Sequence, residues 1–193
     1  NIKIFLSEKA RSCGITKKWP APPDERASDF NSALRDPQTD MIICSRGGFG
    51  TADILDLIDW ESFKKRKLFV LGFSDITALH LAMLKYKAGI PVAGPMLADI
   101  PSVFFNDFPG LSLEKALSGD KKPLCLNKIC RLNTIKKGKA KGQIAAANLC
   151  VLSSMIGTKF MPSLKGKILL LEEINEPPHK IHRFFSHLYH AGI

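Results

Sequence analysis

A chain of 193 residues that is 45% hydrophobic and 24% charged can bury a core, and it is too apolar to remain a disordered polymer. Its longest apolar runs, "LFVLGF" and "ILLL", are far too short to cross a bilayer, and the opening "NIKIFLSEKA" lacks the regions of a secretory signal. The formal charge of +10 is gathered at Lys17, at Lys64 to Lys67 and at Lys136 to Lys141 without interleaved aromatics, a pattern that fits solvated loops better than a nucleic-acid groove.

Predicted elements follow in chain order. "PPDERASDFNSALRD" has Asp24 as a helix cap and Ala27, Phe30, Ala33 and Leu34 at helical spacing. "TDMIICS" reads as a short strand and "RGGFG" as the loop it enters. "TADILDLIDW" reads as a short helix that buries Ile54, Leu55, Leu57 and Ile58. "LFVLGF" is apolar throughout, as in a strand covered on both faces, and "DITALHLAMLKYKAG" is a helix ending at Gly89. With "IPVAGPM" as the next strand, the order is βαβαβ with short crossovers, which argues for a parallel sheet between helices.

After Met96 the texture changes to an irregular segment rich in Pro, Asp and aromatics, followed by the helix "LSLEKALSG". Strands are expected in "PLCLNKICRLN", "GQIAA" and "KGKILLLEEI", the last of them buried, and helices in "ANLCVLSSMIGT" and "PPHKIHRFFSHLYHAG". The fold class is therefore α/β: residues 1–120 form a parallel-sheet domain and residues 121–193 part of a smaller α/β domain. Five cysteines, Cys13, Cys44, Cys125, Cys130 and Cys150, are odd in number and lack a C-x-x-C pair. That usage fits reduced thiols in a cytoplasmic protein. Because the first residue is Asn1 rather than Met, sequence upstream is expected to be missing.

Two loops could carry chemistry. In "LGFSDITAL" a strand, a Gly-x-Ser and a helix succeed one another, as in a turn that lifts a nucleophilic hydroxyl above a sheet. The first N–H groups of the helix would then face the oxyanion formed by attack of Ser74. Ile76 stands where α/β-hydrolases have their second glycine, and helix capping by Ser74 or Asp75 is the commoner reason for such residues at such a place. In "SRGGFG" glycines allow close backbone approach and Arg46 is a fixed cation, while the spacing matches neither a dinucleotide fingerprint nor a phosphate loop. Both loops follow neighbouring strands, so Arg46, Gly47, Gly48 and Ser74 should meet at one carboxyl edge of the sheet.

At the end of "ILLLEE", one of Glu172 and Glu173 could orient a histidine and the other face water. Of the five histidines, His80 suits a core or surface role. His179, His182, His187 and His190 gather on or beside the last helix without the zinc spacing.

Together these segments resemble the LD-carboxypeptidase family of serine peptidases, the muramoyltetrapeptide carboxypeptidases and their microcin-immunity relatives. The resemblance rests on R-G-G-x-G and G-x-S-D-x-T-A-L-H in this order, with "KGQIAAANLCVLSSMIGT" and "ILLLEEINEPPHKIHRFFSHL". It implies a Rossmann-like or flavodoxin-like first domain, a smaller second one and a site between them. Ser74 would be the nucleophile and Glu172 the triad carboxylate. Gly48 and Asp75 would supply oxyanion N–H groups, and Arg46 and Gly47 would meet the substrate.

The implied reaction is hydrolysis of the bond to a terminal D-alanine in a murein tetrapeptide during peptidoglycan recycling. No metal or cofactor is implied, nor a nucleic acid or membrane partner, and a homodimer is compatible with the family.

Three departures accompany the resemblance. The family's Gly-His motif finds no match before Ile193, its opening Pro-Ser strand finds none after Asn1, and "AAAN" at Ala145 to Asn148 replaces Gly-Gly-Asn. The chain alone is therefore expected to be nearly inert. The rival readings are a microcin-type immunity peptidase, and a non-catalytic domain that holds a small anion or nucleotide.

Overall fold

The computed structural model describes residues 5–7, 21–99, 107–118 and 131–193. The expectations for Lys17, Cys13, Cys125, Cys130 and the strands in "PLCLNKIC" lie outside them.

The first sheet is parallel, with order β1 (Met41–Ile43), β2 (Phe69–Gly72) and β3 (Ile90–Ala93). Its register places Met41 opposite Phe69 and Phe69 opposite Ile90. Before it comes α1 (Pro23–Arg35). A 3-10 turn (Thr51–Ile54) and α2 (Trp60–Lys64) lead from β1 to β2, and α3 (Thr77–Tyr86) leads from β2 to β3.

Beyond α4 (Asp107–Ser118), the strands β4 (Ile144–Asn148) and β5 (Ile168–Glu172) pair in parallel. The helix α5 (Leu149–Met155) links them, and α6 (Pro178–His190) follows. The parallel α/β architecture expected from the sequence is present.

The central strand is the most apolar because both of its faces are covered: Val70 is buried in the core that residues of α1, α2 and α3 share, and Leu71 is buried on the opposite face. The helix α3 is buried from Thr77 through Met83, on all sides, since it fills the space between the first sheet and α5. Around it the rings of Trp60 and Tyr86 stack at 4.6 Å between centroids, and Phe160 meets Tyr86 edge-on.

Several local expectations are corrected. Pro22 occupies the cap position of α1 and Asp24 lies within its first turn, because consecutive prolines already preset the helical entry. The helix expected over "TADILDLIDW" is only the 3-10 turn, and Leu57 is exposed rather than buried. Asp59 starts a new helix instead, accepting from Ser62 N–H at 3.0 Å and Ser62 Oγ at 2.7 Å. The left-handed residue that closes α3 is Lys87, with φ 55°, ahead of the expected Gly89.

The strand β5 is covered on one face only. Leu169 and Leu171 pack on the core while Ile168 and Leu170 point away from it, so the expectation of full burial fails by simple alternation. Within the basic run, Arg66 donates to the carbonyls of Leu34, Asp36 and Thr39 at 2.6 to 2.9 Å, and Lys64 pairs with Glu61 at 2.6 Å. Arg66 therefore serves the fold, while Lys64, Lys65 and Lys67 are exposed.

Candidate active site

The turn after β2 is built by close packing. A Cβ added to Gly72 would lie 2.9 Å from Ile76 Cγ1, so glycine lets the following turn fold back on the strand end. Ser74 sits at the tip with φ 59°, a left-handed conformation that costs a non-glycine residue roughly 1–2 kcal/mol. Neither Ser74 nor Asp75 caps a helix, because no side-chain cap bond forms at the 3-10 turn Ser74–Ile76 or at α3. The capping alternative thus finds no support in the geometry. The first backbone bond of the turn runs from Ile76 N–H to Phe73 O at 3.2 Å, which leaves Asp75 N–H ahead of the ladder.

The glycine loop reaches the same edge. A Cβ on Gly47 would lie 3.2 Å from Ser74 Cβ and 3.3 Å from its Oγ, so Gly47 and the serine are in direct apposition. Gly48 and Arg46 are exposed on the same loop. Gly50 O accepts from Arg26 Nη1 at 3.0 Å, and Asp75 Oδ2 accepts from Thr51 N–H at 2.9 Å and from Thr51 Oγ1 at 2.6 Å.

Ser74 and Glu172 line one cavity of about 290 Å3 between the carboxyl ends of β2 and β3 and the strands β4 and β5. Phe73, Ala93, Ala146, Ala147, Leu170 and Leu171 make its walls largely apolar. Arg46, Gly47, Gly48 and Asp75 do not line it. Alternation separates Glu172, the last residue of β5, from Glu173 just beyond it. Glu172 faces the cavity, while Glu173 accepts from Cys150 N–H at 2.9 Å and Asn148 Nδ2 at 3.4 Å at the start of α5.

Thr77, His80 and Asn148 also line the cavity and were not singled out as site residues from the sequence. Asn148 Oδ1 caps α5 through Val151 N–H at 3.0 Å, and Asn148 N–H donates to Thr77 Oγ1 at 2.9 Å. A lone Asn between a strand and an apolar helical run is a cap signal, but its bond to Thr77 spans two distant segments and has no local signature.

His80 is buried and its Nε2 lies 3.0 Å from Val70 O; burial pushes its pKa down to about 4, so it is a neutral core group at ordinary pH. His187 Nδ1 lies 2.8 Å from Ser153 Oγ, while His179, His182 and His190 are exposed on α6. Among the described residues no cluster of three His, Cys, Asp or Glu could hold a metal ion, and no helix is long and apolar enough to cross a membrane. Cys44 and Cys150 are free, and burial pushes the Cys44 thiol up to about 12.

The parallel sheet, the strained serine and the facing strand end place the molecule among α/β proteins with a site at the carboxyl edge of the sheet. The chain belongs to the LD-carboxypeptidase family: the model of the family's N-terminal domain matches residues 3–93 and that of its C-terminal domain residues 141–193. It is 32% identical over 171 residues to the protein of Bacillus subtilis named "Probable murein peptide carboxypeptidase", covering 88% of this chain and 53% of that protein. It is 30% identical over 196 residues to the microcin C7 self-immunity protein MccF of Escherichia coli, covering 85% of this chain and 56% of that protein.

The muramoyltetrapeptide carboxypeptidase of Oxalobacter formigenes shares its fold, with a TM-score of 0.76 at 24% identity over 92% of this chain and 59% of that one. The chain thus spans little more than half the length of these relatives.

Proposed function

We propose that the gene product carrying this chain is a cytoplasmic serine LD-carboxypeptidase that releases the terminal D-alanine of murein tetrapeptides during peptidoglycan recycling. The observation that carries the reading is Ser74, held at φ 59° without any capping duty, on the wall of the cavity that Glu172 also lines. A strained residue needs a reason, and exposure of a nucleophilic hydroxyl is one.

In this mechanism Ser74 Oγ attacks the scissile carbonyl as a histidine accepts its proton. The tetrahedral oxyanion takes hydrogen bonds from the N–H groups of Gly48 and Asp75, collapse expels D-alanine as the histidine passes its proton to the leaving amine, and water, deprotonated by the same histidine, then cleaves the acyl-enzyme. Glu172 orients the histidine. His80 does not serve as that base, since its Nε2 faces the Val70 carbonyl and its pKa is far below neutrality. Nor do the histidines of α6 line the cavity. The 193 residues alone are accordingly expected to be nearly inert. Arg46, exposed at the mouth of the glycine loop, suits a substrate's terminal carboxylate.

The test is D-alanine release from a muramyl tetrapeptide by the full-length gene product, with Ser74→Ala as control and a peptidyl-nucleotide as second substrate. Release that the variant loses supports the reading. Cleavage of the peptidyl-nucleotide alone would transfer it to the immunity role named for MccF, and cleavage of neither would leave a binding domain.

A further inference from the structure

Asp75 does more than follow the serine. Its Oδ2 accepts both the backbone N–H and the hydroxyl of Thr51, which is buried and closes the glycine loop. The beginning of that loop is held separately: Cys44 O and Ser45 O accept from Leu97 N–H and Ala98 N–H at 2.9 and 3.0 Å. Between these anchors lies Gly47, against Ser74.

We propose that Thr51 and Asp75 are a positioning couple that fixes the glycine loop against the serine turn, and so sets the separation of the Gly48 and Asp75 N–H groups. The inference rests on the serine-peptidase reading of the site. Its physical basis is the two-point contact. One hydrogen bond between two loops allows the loops to pivot, whereas a backbone and a side-chain donor from one residue on one oxygen restrict both sliding and rotation.

Such restriction matters where two donors from different loops must converge on one oxygen. Donors serve an oxyanion only within about 2.7–3.1 Å of it, and a misplacement of about 1 Å can cost on the order of a hundredfold in rate. Threonine also fills the buried position. Valine would keep that volume and the backbone bond while deleting the 2.6 Å hydroxyl contact.

The experiment compares wild type, Thr51→Val and Thr51→Ser in the full-length gene product. Thr51→Val is expected to lower kcat about tenfold with KM changed by less than about twofold, and Thr51→Ser to restore kcat. A kcat unaffected by Thr51→Val, a loss appearing equally in KM, or a failure of serine to restore the rate overturns the couple.

Hydrogen exchange over residues 45–51 gives a second readout that needs no turnover. Exchange should rise about fivefold in Thr51→Val and stay near wild type in Thr51→Ser; unchanged exchange in Thr51→Val overturns the proposal. Should Thr51→Val not fold, Asp75→Ala, which deletes the acceptor and keeps the backbone N–H, is read in the same two ways, and unchanged kcat or unchanged exchange overturns the couple. Failure of the wild-type protein to release D-alanine would end the carboxypeptidase reading, and the exchange result would then decide the couple alone.

Discussion

Two strand-to-helix junctions face each other across the cavity and use their polar residues in opposite ways. At the end of β4, Asn148 caps α5 and Glu173 takes a further N–H of the same helix. At the end of β2, Ser74 is strained and caps nothing, and the Asp75 side chain bonds a different loop. The first junction spends its polar side chains on helix stability; the second keeps a hydroxyl at the site and accepts a backbone cost. Similar short sequences can thus have different physical purposes, and the backbone angle tells them apart.

That contrast breaks most sharply at Ser74. Ser74→Gly in the full-length gene product should abolish D-alanine release by more than about a thousandfold. The same change relieves the left-handed strain and is expected to raise unfolding stability by about 1 kcal/mol in urea titration. A variant that loses activity and stability together would show that the serine is structural.

Glu172→Gln should lower kcat by about a thousandfold or more with little change in the urea midpoint. Glu173→Gln should do the reverse, costing about 1 kcal/mol of stability while retaining most of the activity. Equal behaviour of the two variants, judged by paired turnover and denaturation measurements, would erase the distinction between the cavity and the helix end.

His80 gives a pH-dependent handle on the core behind the serine. Its pKa falls from 6.5 to about 4 on folding, so between these values the unfolded chain binds the proton more readily. Stability from this residue is therefore whole above pH 6.5 and is lost as pH falls toward about 4, with a maximum loss of about 3 kcal/mol. His80→Gln should flatten that part of the stability profile measured by urea titration at stepped pH.

The smallest expected effect is at the conventional junction. Asn148→Ala removes the cap of α5 and should cost about 1 kcal/mol, read as a lower urea midpoint with an unchanged slope.

Much of the architecture was legible because it depends on local apolar runs. "LFVLGF" is continuous since β2 is covered on both faces, and the glycine and serine loops meet because their strands are neighbours. The reading of "ILLLEE" as wholly buried failed because a one-sided strand with leucine on its open face looks like a two-sided one. The helix expected after Thr51 failed because the Asp59 cap restarts the chain four residues into its second half of apolar spacing, where periodicity alone sees continuity.

At the site, glycine spacing and the Ser-Asp pair drew attention to two loops that the fold brings into apposition, whereas the Thr51 to Asp75 and Asn148 to Thr77 bonds depend on tertiary proximity and leave no local pattern. The residues alone left Glu172 and Glu173 open and the resemblance implied Glu172; alternation puts Glu172 on the open, cavity-lining face of β5 and turns Glu173 to the start of α5.

The hydroxyl of Thr77 has a mechanical meaning. Because it receives the N–H of Asn148 at 2.9 Å while starting the helix behind the serine, the cavity's opposite walls share one joint. The two sheets are thereby keyed together at the floor of the cavity by a bond internal to the chain.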